Sequence, residues 1–155
     1  MVRVTLICVG KLKEDYLTGA CREYEKRLGA FCQLRTLELP SAKLPENASA
    51  RQIAAALETE GARILGAIPE GSRVYALCVE GAQYDSETLS AEWAGKGNLC
   101  CIIGSSHGLA EAVKRRADCK LSLSQLTFPH QLTRVLLLEQ LYRSFMIARG
   151  GKYHK

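Results

Sequence analysis

The sequence predicts an α/β domain in which a mainly parallel sheet is covered by helices on both faces. Strand-like and helix-like segments alternate along the chain, which is the pattern of parallel sheets joined by crossover helices. The third and fourth strand-like runs are continuously apolar, as expected of strands buried on both sides. No linker, repeat or low-complexity segment divides residues 1–155, so we expect one domain.

Five β-rich runs predict the strands. The first begins near the N-terminus, the second ends before Pro40, and the third is expected to stop at Glu80-Gly81 because glycine interrupts strands. The fourth is apolar throughout and the fifth is short. The predicted strands cover residues 2–9, 31–39, 73–79, 98–103 and 119–123.

Apolar residues at helical spacing predict five helices between and after these strands. Gly29 closes the first helix, Ser86 is the expected N-cap of the third, and Pro129 precedes the last, which is the longest and is apolar on most sides. The predicted helices cover residues 14–28, 50–67, 86–93, 109–117 and 132–148.

The composition excludes several classes of protein. With 47% hydrophobic and 24% charged residues the chain is an ordinary globular sequence, and no apolar run approaches the roughly 20 residues that span a bilayer. The N-terminal apolar stretch is followed by charged residues, unlike a secretory signal, so we expect a cytoplasmic protein. Seven cysteines without a C-x-x-C pair predict buried, reduced thiols and no metal site. The net charge of +5 leans toward a polyanionic partner.

Ligands of parallel α/β sheets bind at the carboxyl ends of the strands. The loops to consider are therefore residues 10–13, 80–86, 104–109 and 124–131. Neither the Walker loop nor the dinucleotide fingerprint is present in them, so phosphoryl transfer on a P-loop is not expected.

The segment Gly104-Ser105-Ser106-His107-Gly108 leaves two interpretations open. It matches G-x-S-x-G between a strand and a helix, so Ser106 could be the nucleophile of a serine hydrolase, followed in the chain by Asp118 and then His130 or His154. The pattern is short, however, and the chain lacks a His-Gly-Gly-Gly oxyanion loop. The alternative is that the two glycines allow a tight turn or a close approach to a ligand.

Two C-terminal segments are also open to a structural or a functional interpretation. The uncharged segment 121–131 alternates apolar and hydroxyl residues, so it is either a packed connector or a loop that encloses a neutral heterocycle with backbone hydrogen bonds. The tail 149–155 combines Tyr153 and His154 with basic residues, so it is either a frayed basic end or an RNA-contacting element.

Residues in these segments carry a family resemblance. Thr-Phe-Pro-His-Gln at 127–131, the Leu-rich helix after it and the ending Lys-Tyr-His-Lys at 152–155 resemble the RlmH (YbeA-type) family of SPOUT-class methyltransferases that act on bacterial 23S rRNA. Val-Gly-Lys-Leu-Lys-Glu at 9–14 and Tyr-Glu-Lys-Arg-Leu at 24–28 fit as well, so the resemblance covers essentially the whole chain.

The resemblance implies a C-terminal trefoil knot, an exception to the rule against threaded chains. It also implies S-adenosylmethionine as methyl donor without a metal, and N3 of a pseudouridine in 23S rRNA as acceptor, presented on the assembled ribosome. It further implies a homodimer packed through the knot region, in which the partner chain completes each site.

Carried over by position, the resemblance assigns site residues. The implied cofactor contacts are Leu77, Gly104, Leu123, Ser124, Gln125, Leu126, Thr127 and Phe128. Tyr153 and His154 would face the RNA. Ser105 stands where many relatives have a second glycine, and His107 is also unusual in that loop, so both could alter the contact with the donor.

The chemistry requires loss of the N3 proton before or during attack on the methyl group. We hypothesise that His154 or Tyr153 assists this loss and that Arg143 or Arg134 favours the negative charge. Alignment of the two reactants could instead supply most of the acceleration. Two alternatives are the Ser106 hydrolase and a ribosome-binding protein that has lost its donor site.

Overall fold

The computed structural model describes residues 1–155 and contains a five-stranded sheet in the order β2-β1-β4-β3-β5, with every neighbouring pair parallel. The strands are β1 (Val2–Val9), β2 (Cys32–Leu39), β3 (Arg73–Gln83), β4 (Leu99–Ile103) and β5 (Cys119–Ser122). The helices are α1 (Asp15–Leu28), α2 (Ala50–Ala67), α3 (Ser86–Trp93), α4 (Glu111–Arg116) and α5 (His130–Ala148). The predicted α/β class and parallel sheet are confirmed.

Two hydrophobic layers hold the helices against opposite faces of the sheet. Tyr75 and Cys101 point into the layer shared with α1, α3 and α5, whereas their neighbours Ala76 and Ile102 point into the layer shared with α2 and α4. All four side chains are fully buried. Successive strand residues point to opposite faces, so continuous apolarity is required where both faces are covered.

The end of β3 differs from the sequence prediction. The strand does not stop at Glu80-Gly81 but continues to Gln83, and its register against β5 shifts between Leu77 and Ala82. A Cβ atom at Gly81 would lie 2.7 Å from the backbone of Lys120 and Leu121. The glycine therefore allows two strands to approach closely. The sequence prediction that it ends β3 was wrong.

The N-cap of α3 is also different from the prediction. Asp85, not Ser86, caps the helix, because its carboxylate accepts a hydrogen bond from the backbone N–H of Thr88 at 2.7 Å. Ser86 instead donates its hydroxyl to Oε1 of Gln140 on α5 at 2.9 Å. Ser86 therefore ties α3 to α5.

The remaining elements match the predicted ones with shifted ends. The second and fourth strands begin one residue later than predicted, the fifth ends one residue earlier, and α1 begins after its capping residue Glu14. The fourth helix is shorter than predicted, covering Glu111–Arg116 instead of 109–117. The last helix begins at His130 rather than 132, since Pro129 occupies its N-cap.

All seven cysteines are free thiols, as the sequence predicts. Five are buried, whereas Cys78 and Cys119 are only partly covered, contrary to the expectation that every cysteine in a strand is buried. Burial raises the pKa of Cys8 to about 12. None of the five helices combines the length and the apolar character that a membrane span requires.

Candidate functional site

A cavity of about 390 Å³ opens where the carboxyl ends of β3, β4 and β5 meet. Its volume lies within the range of small-molecule sites. Seven of the eight sequence-predicted cofactor residues line it: Leu77, Gly104, Leu123, Ser124, Leu126, Thr127 and Phe128. The eighth, Gln125, is exposed and does not line the cavity.

A tight turn after β4 forms one wall of the cavity. Gly104 is packed so closely that a Cβ atom there would lie 2.3 Å from the carbonyl oxygen of Gly108. Gly108 adopts a φ of +89°, which favours glycine, and its N–H donates to the carbonyl of Ser105 at 2.9 Å. Ser105 and His107 also line the cavity. The glycines therefore shape a turn and permit close backbone contact.

The hydrolase interpretation of this segment fails on geometry. Ser106 follows β4 at the carboxyl edge of the sheet, whereas Asp118 precedes β5 at the amino edge. The Asp118 carboxylate accepts a hydrogen bond from the backbone N–H of Val74 at 2.7 Å, and the Ser106 side chain makes no hydrogen bond to a histidine. The three groups of a serine triad are not assembled.

The loop 123–128 supplies hydrogen-bonding groups that the protein itself leaves unused. Within this loop, the N–H of Leu126 donates to Oγ of Ser124 at 3.0 Å, and the carbonyl of Ser124 accepts from Oγ of Ser122 at 2.9 Å. The other backbone groups of 123–128 make no hydrogen bond to protein atoms. Backbone groups that are partly exposed and have no protein partner can bond to water or to a bound molecule, so this uncharged loop is suited to a polar, uncharged ligand such as a nucleoside.

Only two of the residues lining the cavity carry a permanent charge. Nζ of Lys114 on α4 lies 2.6 Å from Oε1 of Glu80 on β3. The Lys114 side chain is 16% exposed and that of Glu80 is 53% exposed. Their hydrogen bond raises the pKa of Lys114 and lowers that of Glu80, so both stay charged at neutral pH. Sequence reasoning missed this pair because its members are 34 residues apart.

His130 lines the cavity at the start of α5. Burial lowers its pKa, with a further contribution from the positive charges of Arg134 and Lys13. The imidazole is therefore neutral at neutral pH.

The sequence-predicted catalytic residues Arg143, Tyr153 and His154 form a separate cluster around Glu139. Nε of Arg143 donates to Oε1 of Glu139 at 2.9 Å, and the Tyr153 hydroxyl donates to the same oxygen at 3.1 Å. Nη1 of Arg143 lies 3.0 Å from Nδ1 of His154, and its guanidinium lies 4.8 Å from the centre of the Tyr153 ring. The tail is thus docked on α5.

This cluster is not next to the cavity of the same chain. Arg143 lies thirteen residues beyond His130 on α5, which corresponds to roughly 20 Å at 1.5 Å per residue. One chain therefore holds the two predicted groups of site residues apart. Glu139, the anchor of the cluster, was missed by sequence reasoning, although its i, i+4 spacing to Arg143 is a recognisable signal.

Arg134 links α5 to residues at the ends of β1 and β2 and does not line the cavity. It is 5% exposed, and its Nη1 lies 2.7 Å from Oε2 of Glu38 while Nη2 donates to the carbonyl of Gly10 at 3.3 Å. Its suggested role in stabilising charge on a substrate is not supported by this geometry. No group of three or more His, Cys, Asp or Glu side chains is placed to hold a metal ion.

A family model described as a predicted SPOUT methyltransferase matches residues 2–154. The chain belongs to the SPOUT methyltransferase family. The glycine turn, the uncharged loop and the parallel sheet are therefore parts of a methyltransferase.

Similar sequences narrow the family. A protein of Clostridium acetobutylicum named Ribosomal RNA large subunit methyltransferase H is 46% identical over 99% of this SPOUT chain and 100% of its own length. A protein of Streptococcus thermophilus with the same name is 46% identical over the same shares. The resemblance stated from the sequence is confirmed.

Several solved structures are similar to this chain in fold at low sequence identity. A probable methylase family protein from Haemophilus influenzae Rd KW20 has a TM-score of 0.57 at 13% identity, covering 98% of this chain and 70% of its own. A probable methyltransferase from Bordetella pertussis Tohama I has a TM-score of 0.57 at 15% identity, covering 93% and 95%. At these identities the likeness shows the fold alone.

Proposed function

We propose that this SPOUT methyltransferase transfers a methyl group from S-adenosylmethionine to N3 of a pseudouridine in 23S rRNA. The acceptor would be presented on the assembled ribosome in the cytoplasm. The observation that carries the proposal is the cavity at the strand ends, where most backbone donors and acceptors of the uncharged loop 123–128 have no partner within the protein. The names of the 46% identical relatives support ribosomal RNA as the substrate class.

The residues around the cavity fit the proposed methyl donor. Backbone groups of 123–128 would hydrogen-bond the adenine and ribose, while Leu77, Leu123 and Phe128 provide apolar walls. Because Gly104 has no side chain, the turn after β4 packs closely against the carbonyl of Gly108, and this packing leaves space for the donor. When bound, the donor supplies a methyl group on a positively charged sulfur, which leaves as a neutral thioether when the acceptor nitrogen attacks.

The distance between the cavity and the tail cluster supports a homodimer. We propose that the docked tail of one protomer, with Tyr153 and His154, completes the cavity of its partner. The α5 side of the molecule offers an apolar surface for such packing, since Leu126 is 71% exposed and Leu132 is 36% exposed. A second cavity of about 410 Å³ lies beside this surface between α3 and α5. A second copy of the chain would cover both.

We also propose that the C-terminal part is a trefoil knot packed in that interface. The segments after β3, β4 and β5 all border one cavity, and the backbone of Gly81 is pressed against that of Lys120 and Leu121. Such crowding of chain segments supports threading of the C-terminal region, which family membership implies.

In the proposed complex the tail residues position the RNA base. The partly exposed Tyr153 ring can stack on a base, and the neighbouring basic residues can contact phosphates. Arg143 stands beside both tail side chains and can favour negative charge on the imide as the N3 proton is lost. Because the cluster is fixed by Glu139, alignment of the acceptor is the main contribution that these residues can make.

Calorimetry tests the donor site first. Purified protein titrated with S-adenosylmethionine is expected to bind it, and ribosomes lacking the modification are then expected to accept one methyl group per large subunit. A protein that binds ribosomes but neither binds the donor nor methylates in their presence would instead be a ribosome-binding relative without catalysis.

Mixed dimers test the sharing of sites. A Gly104→Ala protomer supplies an intact tail, and a protomer truncated after Lys152 supplies an intact cavity. Each variant alone is expected to be inactive, whereas the purified mixed dimer is expected to recover one working site of two. If the mixed dimer is as inactive as its parents, the tail does not act across the dimer.

A further inference from the structure

The cavity contains one partly buried cation and one anion that family membership does not account for. Lys114 on α4 and Glu80 on β3 are the two permanently charged residues among the lining residues, and they neutralise each other across 2.6 Å. The uncharged loop 123–128 accounts for a nucleoside but offers no partner for a charged group. The pair therefore points to a ligand that itself carries both charges.

The position of the pair separates it from the nucleoside-binding loop. Lys114 belongs to α4, which packs on the face of the sheet shared with α2, whereas 123–128 leads into α5 on the opposite face. The cavity thus extends past the edge of the sheet from an uncharged wall to a charged one. An elongated ligand with a neutral end and a zwitterionic end matches this arrangement.

We propose that Lys114 binds the α-carboxylate and Glu80 the α-ammonium of the amino-acid end of the methyl donor. This inference rests on the proposed function, since it requires the donor to occupy the cavity.

Both side chains have hydrogen-bonding capacity left for these contacts with the donor. An ammonium group has three donors, and Lys114 directs one to Glu80 at 2.6 Å while its distance to Glu111 is 3.6 Å, so donors remain for a carboxylate. Glu80 is half exposed and accepts from Lys114 through one oxygen, so its other oxygen is available to an ammonium group. Because Lys114 is covered by protein, its contact with a carboxylate is less screened than a surface ion pair.

Binding of matched ligands to the full-length protein tests this assignment. S-adenosylhomocysteine carries the zwitterionic end, 5′-methylthioadenosine lacks it, and decarboxylated S-adenosylhomocysteine keeps only the amine. Lys114→Met is expected to weaken S-adenosylhomocysteine about tenfold or more, as for loss of a charge-assisted hydrogen bond, and not to weaken the other two ligands. Glu80→Gln is expected to weaken both amine-containing ligands and to leave 5′-methylthioadenosine unchanged.

Two controls keep the result specific. Arg115→Met removes a positive charge from the same helix at an exposed residue outside the cavity, and is expected to bind all three ligands as the wild type does. Lys114→Arg retains the charge and is expected to recover part of the lost affinity. Methionine has a length similar to lysine, and circular dichroism checks that each variant is folded.

The possible outcomes distinguish this inference from the proposed function. If Lys114→Met weakens S-adenosylhomocysteine and 5′-methylthioadenosine equally, or weakens neither, the lysine does not recognise the carboxylate although the donor site stands. If the wild type binds none of the three ligands, the proposed donor site and this inference are both overturned.

Discussion

Nη1 of Arg143 lies 3.0 Å from Nδ1 of His154, and this contact fixes the proton on the imidazole. A guanidinium only donates hydrogen bonds, so Nδ1 must be the acceptor and the neutral ring must carry its proton on Nε2. Nε2 faces Glu87, whose Oε1 is 3.7 Å away. The docked neutral His154 therefore has no free lone pair with which to accept the N3 proton, which argues for a positioning role.

The first prediction is that His154 is the Nε2–H tautomer in the free protein. Nitrogen chemical shifts of the neutral imidazole, measured by NMR, are expected to identify Nδ1 as the unprotonated nitrogen. Arg143→Met removes the donor and is expected to abolish this preference. Shifts showing an Nδ1–H tautomer in the wild type would contradict the contact and restore His154 as a candidate base.

The second prediction concerns the ionisation of Tyr153. Burial, together with hydrogen bonds to Tyr24 and Glu139, raises its pKa to about 12. The pKa in the folded protein exceeds the unfolded value of about 10, so the protonated Tyr153 hydroxyl stabilises the docked tail. This stabilisation is fully present below pH 10 and is lost as pH rises toward 12. Tyr153 thus stays protonated at neutral pH and is not the proton acceptor.

The difference in phenolate absorbance between the wild type and Tyr153→Phe isolates this titration. We expect its midpoint at about 12 and expect Tyr153→Phe to leave the shape of the pH–rate profile of methylation unchanged at neutral pH. A midpoint near 10, the value of a free phenol, would mean that the tail is not docked in solution.

The sequence predicts the strands and helices well because both faces of this sheet are covered, so residues 74–79 of β3 and the whole of β4 are unbroken apolar runs. The prediction of the strand end at Gly81 is wrong because the sequence alone does not distinguish a glycine that ends a strand from one that lets a neighbouring strand approach. The sequence misses Asp85 for a similar reason, since Ser86 next to it is an equally good cap by composition and only the contact with Gln140 separates them.

The sequence likewise predicts one part of the candidate site and misses another. The uncharged loop 123–128 stands out in the sequence because it is contiguous, and all its residues except Gln125 line one cavity with Leu77 and Gly104. The pair Lys114–Glu80 is formed by the packing of α4 on β3, so no local pattern reveals it. The separation of the tail cluster from the cavity likewise follows from the length of α5 and not from any motif.

The third prediction tests the buried ion pair of Arg134 and Glu38. Glu38→Gln leaves the nearly buried guanidinium without its carboxylate and is expected to lower the free energy of unfolding by about 2 to 3 kcal/mol, below the full cost of a buried unpaired charge because Glu38 is 35% exposed. Arg134→Met is expected to cost less, since the remaining Glu38 can reach water.

Chemical denaturation of the two single variants and the double variant measures the coupling between these side chains. The double variant Glu38→Gln/Arg134→Met is expected to be more stable than Glu38→Gln alone, because no unpaired buried charge remains. If the effects of the two single changes simply add, the ion pair between Arg134 and Glu38 contributes no specific coupling to the stability of the fold.

The fourth prediction compares two glycines with opposite surroundings. At Gly104 a Cβ atom would lie 2.3 Å from the carbonyl oxygen and 2.7 Å from the carbonyl carbon of Gly108, so alanine forces the backbone of the turn to move. Gly66, inside α2, has no atom within 4 Å of its Cβ position. Gly104→Ala is expected to weaken S-adenosylhomocysteine more than tenfold by calorimetry, because the displaced turn forms a wall of the cavity.

Gly66→Ala is the matched control, because it adds the same methyl group where there is space. It is expected to leave binding unchanged and to raise the free energy of unfolding by up to about 1 kcal/mol, since alanine is the better helix former. Normal binding by a folded Gly104→Ala variant would show that the turn can yield without narrowing the cavity. The steric contact with Gly108 would then not explain why glycine is needed after β4.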